Sequence, residues 1–590
     1  MTDDTSQSPV VDERKSVVPD TTSDPERNMK RQPEILSKQE YDVLVIGAGI
    51  SGVFIAWDAA LRGLKVALIE QNDFGAVTSA NSMKTVHGGL RYLQDGNIKL
   101  VRKMINERKA MLRIAPHLVH PLPFLMPTTS KLMRSNLVMG VALRLNDLIS
   151  FDRNQGADPQ KVLPNGRVLS RQESLELLPI LNGDGITGAA AWYDAQIYNT
   201  ERFLLSVLMS AAKHGAHIVN YVEAKRFMIE QRRVMGVEAE DRLTGDPLSI
   251  RARLVINASG AWTNDLLRTA GITRPEPHFR ISVAVNLITR QILSDYAAAA
   301  SSNYSFTRED GRREHRSNVL IAAPWRQYSI VGTYHAHYDG HPRDYEVTEE
   351  DIEHYLAEAN TAFPNAQLTR EDVLGVHRGF LPEVPSDDGI KLVREAQIHD
   401  HVTEDGIAGL ISAIGVKYTT ARHLAEQTVD LALKRLHLPP AACRTRETPI
   451  YGGNIARFGN YLEQHTQEAI PQVSRNALRR LIYNYGTEYG RVLKLIEEDA
   501  ALAELLPGNV LKAEVIHAVR EEMAQTLADV IMRRIEIGSA GYPGDAIIDA
   551  VAELMAEELD WSAAETSAQI AQVKRHYGFE TSPEAQVVVS

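Results

Sequence analysis

The sequence predicts an α/β protein: a Rossmann-like parallel sheet that binds a dinucleotide, a mainly antiparallel sheet that covers it, and an α-helical carboxy-terminal domain. Three observations carry this reading. Residues 41–70 run as strand, glycine turn, helix and strand. Short strand-like stretches recur between 275 and 400. Residues 457–576 keep a helical period almost throughout.

The first stretch is YDVLVIGAGISGVFIAWDAALRGLKVALIE. Residues 42–46 form a short apolar strand. Gly47, Gly49 and Gly52 then give G-x-G-x-x-G, with Ala48, Ile50 and Ser51 between them. Residues 53–61 have helical spacing, and 65–69 make a second strand ending in Glu70. Gly47 permits the tight turn, Gly49 lets the backbone approach a pyrophosphate, and Gly52 lets helix pack on strand. The helix amino end offers free N–H groups to phosphate. Glu70 stands where a carboxylate accepts from ribose hydroxyls. The glycines alone would also fit a turn needed only for packing; the two strands, the helix and the terminal acid together assign dinucleotide binding.

At 590 residues the chain is long enough for two or three domains. Its net charge of −12 opposes nucleic-acid binding, since repulsion from phosphates is not offset. One cysteine, Cys443, excludes an internal disulfide and a cysteine-cluster metal site. No apolar run reaches the ~18 residues of a membrane span. Residues 1–39 are polar, mixed in charge and lack an apolar signal core, so they read as a disordered tail. The domain limits expected are 1–39 for the tail, 40–444 for the dinucleotide and substrate region (the substrate part mainly 275–400), and 445–590 for the helical domain.

Beyond Glu70, the hydroxyls Thr78, Ser79 and Ser82 precede Gly88-Gly89 and a helical pattern. This is either a second close backbone approach or a plain loop and cap. Residues 98–115 read as an amphipathic helix. Prolines between 116 and 127 lead into extended chain. Residues 131–149 are apolar with Lys131, Arg134 and Arg144 interspersed, which suits a membrane surface or a partner-facing helix. Residues 226–256 alternate as a β-meander, and 253–259 read as a strand returning to the parallel sheet. Residues 281–289, 319–323, 328–332 and 391–395 read as strands, with a helix at 349–362 opened by Thr348. Residues 410–414 make another strand, followed by Gly415 and a helix from 419. A single helical pattern spans 513–535, with Asp529, Arg533 and Arg534 as surface ion pairs.

Taken together, several motifs resemble the FAD-dependent glycerol-3-phosphate dehydrogenases of the glycine/D-amino-acid oxidase superfamily. They are TSANSMK (78–84), TVHGGLRYL (85–93), RIAPHLVHPLPFLMP (113–127), WYDAQ (192–196), VINASGAW (255–262), GVKYTTARHLAE (415–426) and the helical carboxy-terminal segment. The resemblance implies FAD as cofactor. Gly47, Gly49 and Gly52 would face the pyrophosphate and Glu70 the adenosine ribose. Thr78, Ser79 and Ser82 would line the flavin side, with Gly88 and Gly89 beside the ring. Val222, Ala258 and Gly260 would meet the adenosine end, and Gly415, Lys417, Tyr418, Thr419 and Thr420 the isoalloxazine. It further implies oxidation of a secondary alcohol by hydride transfer to flavin N5. Arg91, Tyr92 and Lys417 match substrate-site positions, and His87 adjoins the flavin motif.

Three motifs on the substrate side depart from the family. Its Gly-x-Arg-Pro reads Gly379-Phe380-Leu381-Pro382, so Leu stands where Arg would hold an anion. Arg378 is the nearest substitute, although strand alternation sets it against Leu381. The Lys-Gly-x-His segment reads Ser282-Val283-Ala284-Val285, and Gly-Thr-Thr-Asp reads Gly332-Thr333-Tyr334-His335. His335, His337 and His377 are new candidates, each more ordinarily a structural histidine, and no carboxylate partner makes a metal site of them. The expected function is oxidation of glycerol 3-phosphate, or of a different hydroxy or amino compound in a changed pocket. Expected partners are that small molecule, quinone or another electron acceptor, a peripheral membrane contact and a second copy of the chain. The expected location is cytoplasmic, on the inner face of the cell membrane.

Overall fold

The computed structural model describes residues 29–272, 280–307, 313–384 and 391–578. The glycine-rich stretch folds as expected: strand Glu40–Ile46, helix Ile50–Leu61 and strand Val66–Ile69. The helix is apolar on every side and is buried accordingly, packed between helices Thr200–Lys213 and Ala421–Arg435.

Five strands run parallel in the order His217–Val219, Val66–Ile69, Glu40–Ile46, Pro247–Asn257, Leu410–Ile414. Their register aligns Val219, Ile69, Ile46, Asn257 and Ser412. Gly47, Glu70, Ala258 and Gly415 therefore each follow directly on the carboxyl end of one of these strands. Ligands of such sheets bind in the crevice beyond the carboxyl ends. The meander Val222–Glu230, Arg233–Asp241, Pro247–Asn257 forms as predicted.

The antiparallel sheet is larger than its sequence signal. Strands Val373–Val384, Arg280–Arg290, Tyr328–Tyr338, Arg313–Trp325 and Ala297–Thr307 continue into Val119–Thr129, Ile186–Ile197 and Thr85–Val86. Ala297–Thr307 is alanine- and serine-rich, so propensity concealed it. Helix Glu349–Ala362 begins where Thr348 and Asp351 make a reciprocal cap.

Two expectations change. Residues 29–39 are packed, not a tail: Pro33–Leu36 is helical, Leu36 is buried, and Arg31 pairs with Asp241 at 2.6 Å. Residues 1–28 lie outside the described residues. The helix predicted over 513–535 breaks at Met523, which has φ +53°. A new turn starts at Thr526, whose side chain caps Asp529. That break turns Arg533 and Arg534 inward.

Candidate active site

A cavity of about 1750 Å³ lies between the two sheets. One wall comes from the aligned strand ends. Gly47 has φ +100°, and a Cβ there would sit 2.7 Å from Ala258 O; at Gly52 it would sit 1.9 Å from Gly47 O. The turn is thus closed to any side chain, and Gly49 at the amino end of helix Ile50–Leu61 supplies no side-chain cap. The Ile50 N–H donates to Ser79 Oγ at 2.9 Å. Glu70 accepts from the amides of Ala48 at 2.8 Å and Asn72 at 2.9 Å. Burial nevertheless raises its pKa.

Of the residues predicted for the cofactor, Gly47, Gly49, Ile50, Ser51, Glu70, Thr78, Ser79, Ser82, Val222, Ala258, Gly260, Gly415, Lys417, Tyr418 and Thr419 line the cavity. Ala48, Gly52, Gly88, Gly89 and Thr420 stand one layer behind. Gly88 donates its amide to Asp194 at 2.5 Å, and Asp194 also accepts from Trp192 Nε1 at 3.0 Å and pairs with Arg108. The WYDAQ stretch thereby fixes the glycine pair. Its alternation (Trp192 and Asp194 on one strand face) was the available sign of this role.

The other wall is the antiparallel sheet. His87, Arg91, Tyr92 and Lys417 come together here, opposite Asn286, Thr333, His335 and Leu381. Arg91 has no ion-pair partner among the described residues. Lys417 donates to Arg394 O and stands 5.3 Å from the Tyr92 ring centroid. Burial, opposed by Glu395 and helped by the cations Arg91, Arg394 and Lys103, lowers its pKa to about 8. Burial also lowers His87, with Lys417, Arg91 and Arg108 adding to the effect against Asp194.

Arg378 does not belong to this group. Its guanidinium bonds to Tyr345 O, and it is absent from the lining. The pairing of strands Arg280–Arg290 and Val373–Val384 explains this: Leu381 and Arg378 have opposite parity, and Leu381 takes the cavity side. On the neighbouring strand Val283 and Val285 belong to the core, while Ala284 and Asn286 face the cavity. Asn286 accepts from Thr333 Oγ1 at 2.8 Å and donates to Asn81 O at 3.1 Å. His377 is buried elsewhere, donating to Ser539 O at 2.7 Å. His337 is held by Glu383 and, at 2.8 Å, by Asp339. Among the described residues no group of three His, Cys, Asp or Glu could hold a metal ion.

Sequence reasoning missed one further element. Between Asn72 and Gly75, both in the lining, Asp73 is buried and meets Arg534 at 2.7 and 2.8 Å and Arg533 at 2.5 Å. Burial alone would raise this carboxyl; the two guanidinium groups bring it down to about 2. The helical domain thus grips the loop that borders the cavity.

Residues 42–430 match the family described as FAD dependent oxidoreductase, and 443–566 match the C-terminal domain of alpha-glycerophosphate oxidase. The chain is 32% identical to glycerol-3-phosphate dehydrogenase of Synechocystis sp., over 92% of this chain and 97% of that one. It is 31% identical to the aerobic glycerol-3-phosphate dehydrogenase of Staphylococcus haemolyticus, over 88% and 92%. The crystal structure of glycerol-3-phosphate dehydrogenase from Bacillus halodurans, complexed with FAD, superposes with a TM-score of 0.72 at 26% identity, over 93% of this chain and 97% of that one. The fold and the cavity define a flavin-dependent oxidoreductase. The chain belongs to the FAD-dependent glycerol-3-phosphate dehydrogenase family.

The residues present fit FAD. The cavity exceeds the range of about 300–1,000 Å³ common for small ligands, as a dinucleotide requires. The glycine cradle is open, and the cavity-lining Trp262 carries a buried Nε1 with no hydrogen-bond partner among the described residues.

Proposed function

We propose that the enzyme oxidises sn-glycerol 3-phosphate to dihydroxyacetone phosphate and passes the electrons to a membrane quinone. The observation that carries this is Arg91, a guanidinium with no ion-pair partner among the described residues, beside Lys417 in a cavity shared with the glycine cradle. A forked cation and an ammonium suit a phosphate dianion.

Gly47, Gly49 and the helix amino end would take the pyrophosphate of FAD, Glu70 the adenosine ribose, and Val222, Ala258 and Gly260 the adenosine end. Thr78, Ser79, Ser82, Gly415 and Tyr418 would meet the flavin half. FAD, when bound, accepts the hydride and carries the redox step. The chain's own work is orientation. Arg91 and Lys417 hold the phosphate end, Tyr92 flanks Lys417, and the sheet wall of Asn286, Thr333 and His335 faces the carbinol. Gly88 and Gly89, fixed through Asp194, set the position of His87 and Arg91.

Helix Asn136–Ile149 supports the membrane side of this reading. Met139 and Leu143 pack on the antiparallel sheet, while Leu132, Met133, Leu137, Val141, Leu145, Leu148 and Phe151 are exposed, Leu137 by 76%. An apolar stripe flanked by Lys131, Arg134 and Arg144 suits an anionic lipid surface. No helix among the described residues is long and apolar enough to cross a membrane.

The test is anaerobic reduction of the bound flavin by a panel of alcohols and amines. Bleaching by glycerol 3-phosphate at low concentration supports the proposal. Leu381 in the cavity wall, at the family's arginine position, favours the second reading, a different hydroxy or amino compound. Bleaching by such a compound and not by glycerol 3-phosphate selects it.

A further inference from the structure

On strand Arg280–Arg290 the residues facing the cavity wall include Ala284 and Asn286, and neither can take a proton. The adjacent strand supplies an imidazole instead. His335 pairs directly across from Ala284 and lines the same cavity. Its Nδ1 is shut off from solvent and has no hydrogen-bond partner among the described residues. Tyr334, the preceding residue, points the other way into the core, where it stacks on Tyr355 with centroids 4.3 Å apart and donates to Tyr355 O at 2.8 Å. That anchor fixes the face on which His335 stands.

We propose that His335 is the catalytic residue that accepts the proton of the substrate hydroxyl. This rests on the oxidation of glycerol 3-phosphate proposed above. The O–H bond breaks and its proton passes to Nε2 of His335, the ring nitrogen that is not shut off. The C–H bond breaks and its electron pair leaves with the hydrogen as hydride to FAD. The C=O bond forms, so the substrate loses two hydrogens and the flavin gains two electrons.

The charge balance of the site supports this assignment. Burial and the charge of Arg91 hold the imidazole pKa at about 4, so the ring is neutral and ready to accept. A phosphate dianion on Arg91 cancels the cation that depresses it. Substrate binding therefore removes the smaller of the two influences on the ring, while burial, the larger, remains. His87, which lines the cavity as His337 and His341 also do, lies among Lys417, Arg91 and Arg108, with Asp194 the only carboxylate among its main influences.

His335→Asn and His335→Ala are compared with the parent as FAD-loaded enzymes. Two quantities are read: the anaerobic flavin-reduction rate at saturating glycerol 3-phosphate, and the substrate Kd from perturbation of the flavin spectrum. The expected result is a rate about 10²–10⁴-fold lower in both variants, a Kd within about threefold of the parent's, and recovery of His335→Ala by added imidazole. A rate within about threefold of the parent's in His335→Asn, or a loss confined to Kd, overturns the proposal. A parent that glycerol 3-phosphate does not bleach overturns the function proposed above, and this role with it.

Discussion

Thr78 accepts a hydrogen bond from the Phe380 amide at 2.9 Å and returns one to the Phe380 carbonyl at 3.3 Å. The loop after the first parallel pair is thus tied to the strand that walls the substrate space. Gly379 permits the approach, since a Cβ there would lie 3.0 Å from Thr78 Cγ2 and 3.2 Å from Thr78 Cα. Gly379→Ala is expected to cost about 1–3 kcal/mol by overpacking and to lower FAD retention. The thermal midpoint of loaded enzyme and the flavin released on dilution check this; unchanged retention would show the tie to be dispensable.

Leu381→Arg restores a guanidinium to a wall position that already lines the cavity. A hydrogen bond to a charged group contributes about 1.5–3 kcal/mol, so affinity for glycerol 3-phosphate should rise about tenfold or more. The measurement is substrate Kd. No gain would mean that Ala284, Asn286 and His335 have rebuilt the pocket around a different ligand.

Lys417 has a pKa of about 8 under the combined influence of burial, Glu395, Arg91, Arg394 and Lys103. An ammonium binds a phosphate only while protonated. Affinity is therefore full below pH 8 and falls as the pH rises through it, in a step that a bound anion moves upward. Substrate Kd against pH should show this step, and Lys417→Met should abolish it. A step that persists in the variant assigns the titration to another group.

Asp73→Ala removes the carboxylate that Arg533 and Arg534 share, leaving Arg533 its bond to Asp529 at 2.8 Å and Arg534 the more distant Glu522 at 3.8 Å. Removing one partner of a buried pair costs about 3–5 kcal/mol. Denaturant unfolding should show that loss, together with weaker FAD binding, because Asn72 and Gly75 border the cavity. A variant as stable as the parent would make the grip incidental.

Replacing Leu137, Leu148 and Phe151 with Gln removes the outward stripe without touching Met139 or Leu143. Sedimentation with anionic phospholipid vesicles should be lost, and flavin reduction by substrate should stay at the parent rate. Retained vesicle binding, or a change in oligomeric state without one in vesicle binding, would assign the stripe to something other than lipid.

The cofactor half was legible because its constraints are local. Gly47, Gly49, Gly52 and Glu70 lie within one strand–helix–strand unit, and each has a steric or hydrogen-bonding reason readable from spacing. The substrate half was legible in parity but not in register. Alternation set Arg378 against Leu381, yet only the pairing of three strands showed that Asn286 and His335 face inward where Val285 does not. Arg533 and Arg534 read as surface charges because periodicity carried a helix through Met523; the capping signal Thr526-x-x-Asp529 was in the sequence, but helical period outweighed it. Strand Ala297–Thr307 was hidden by alanines and serines that owe their extended shape to neighbours on both sides.

The grip on Asp73 also imposes an order of events during synthesis. Asp73 and its arginines are 460 and 461 positions apart in the chain. The ribosome releases the glycine turn and its loop long before the residues that clamp them. A nascent chain can assemble the parallel sheet early, but its hold on FAD is completed only when the last helices emerge. Chains that stop short of Arg533 would leave the loop unfastened.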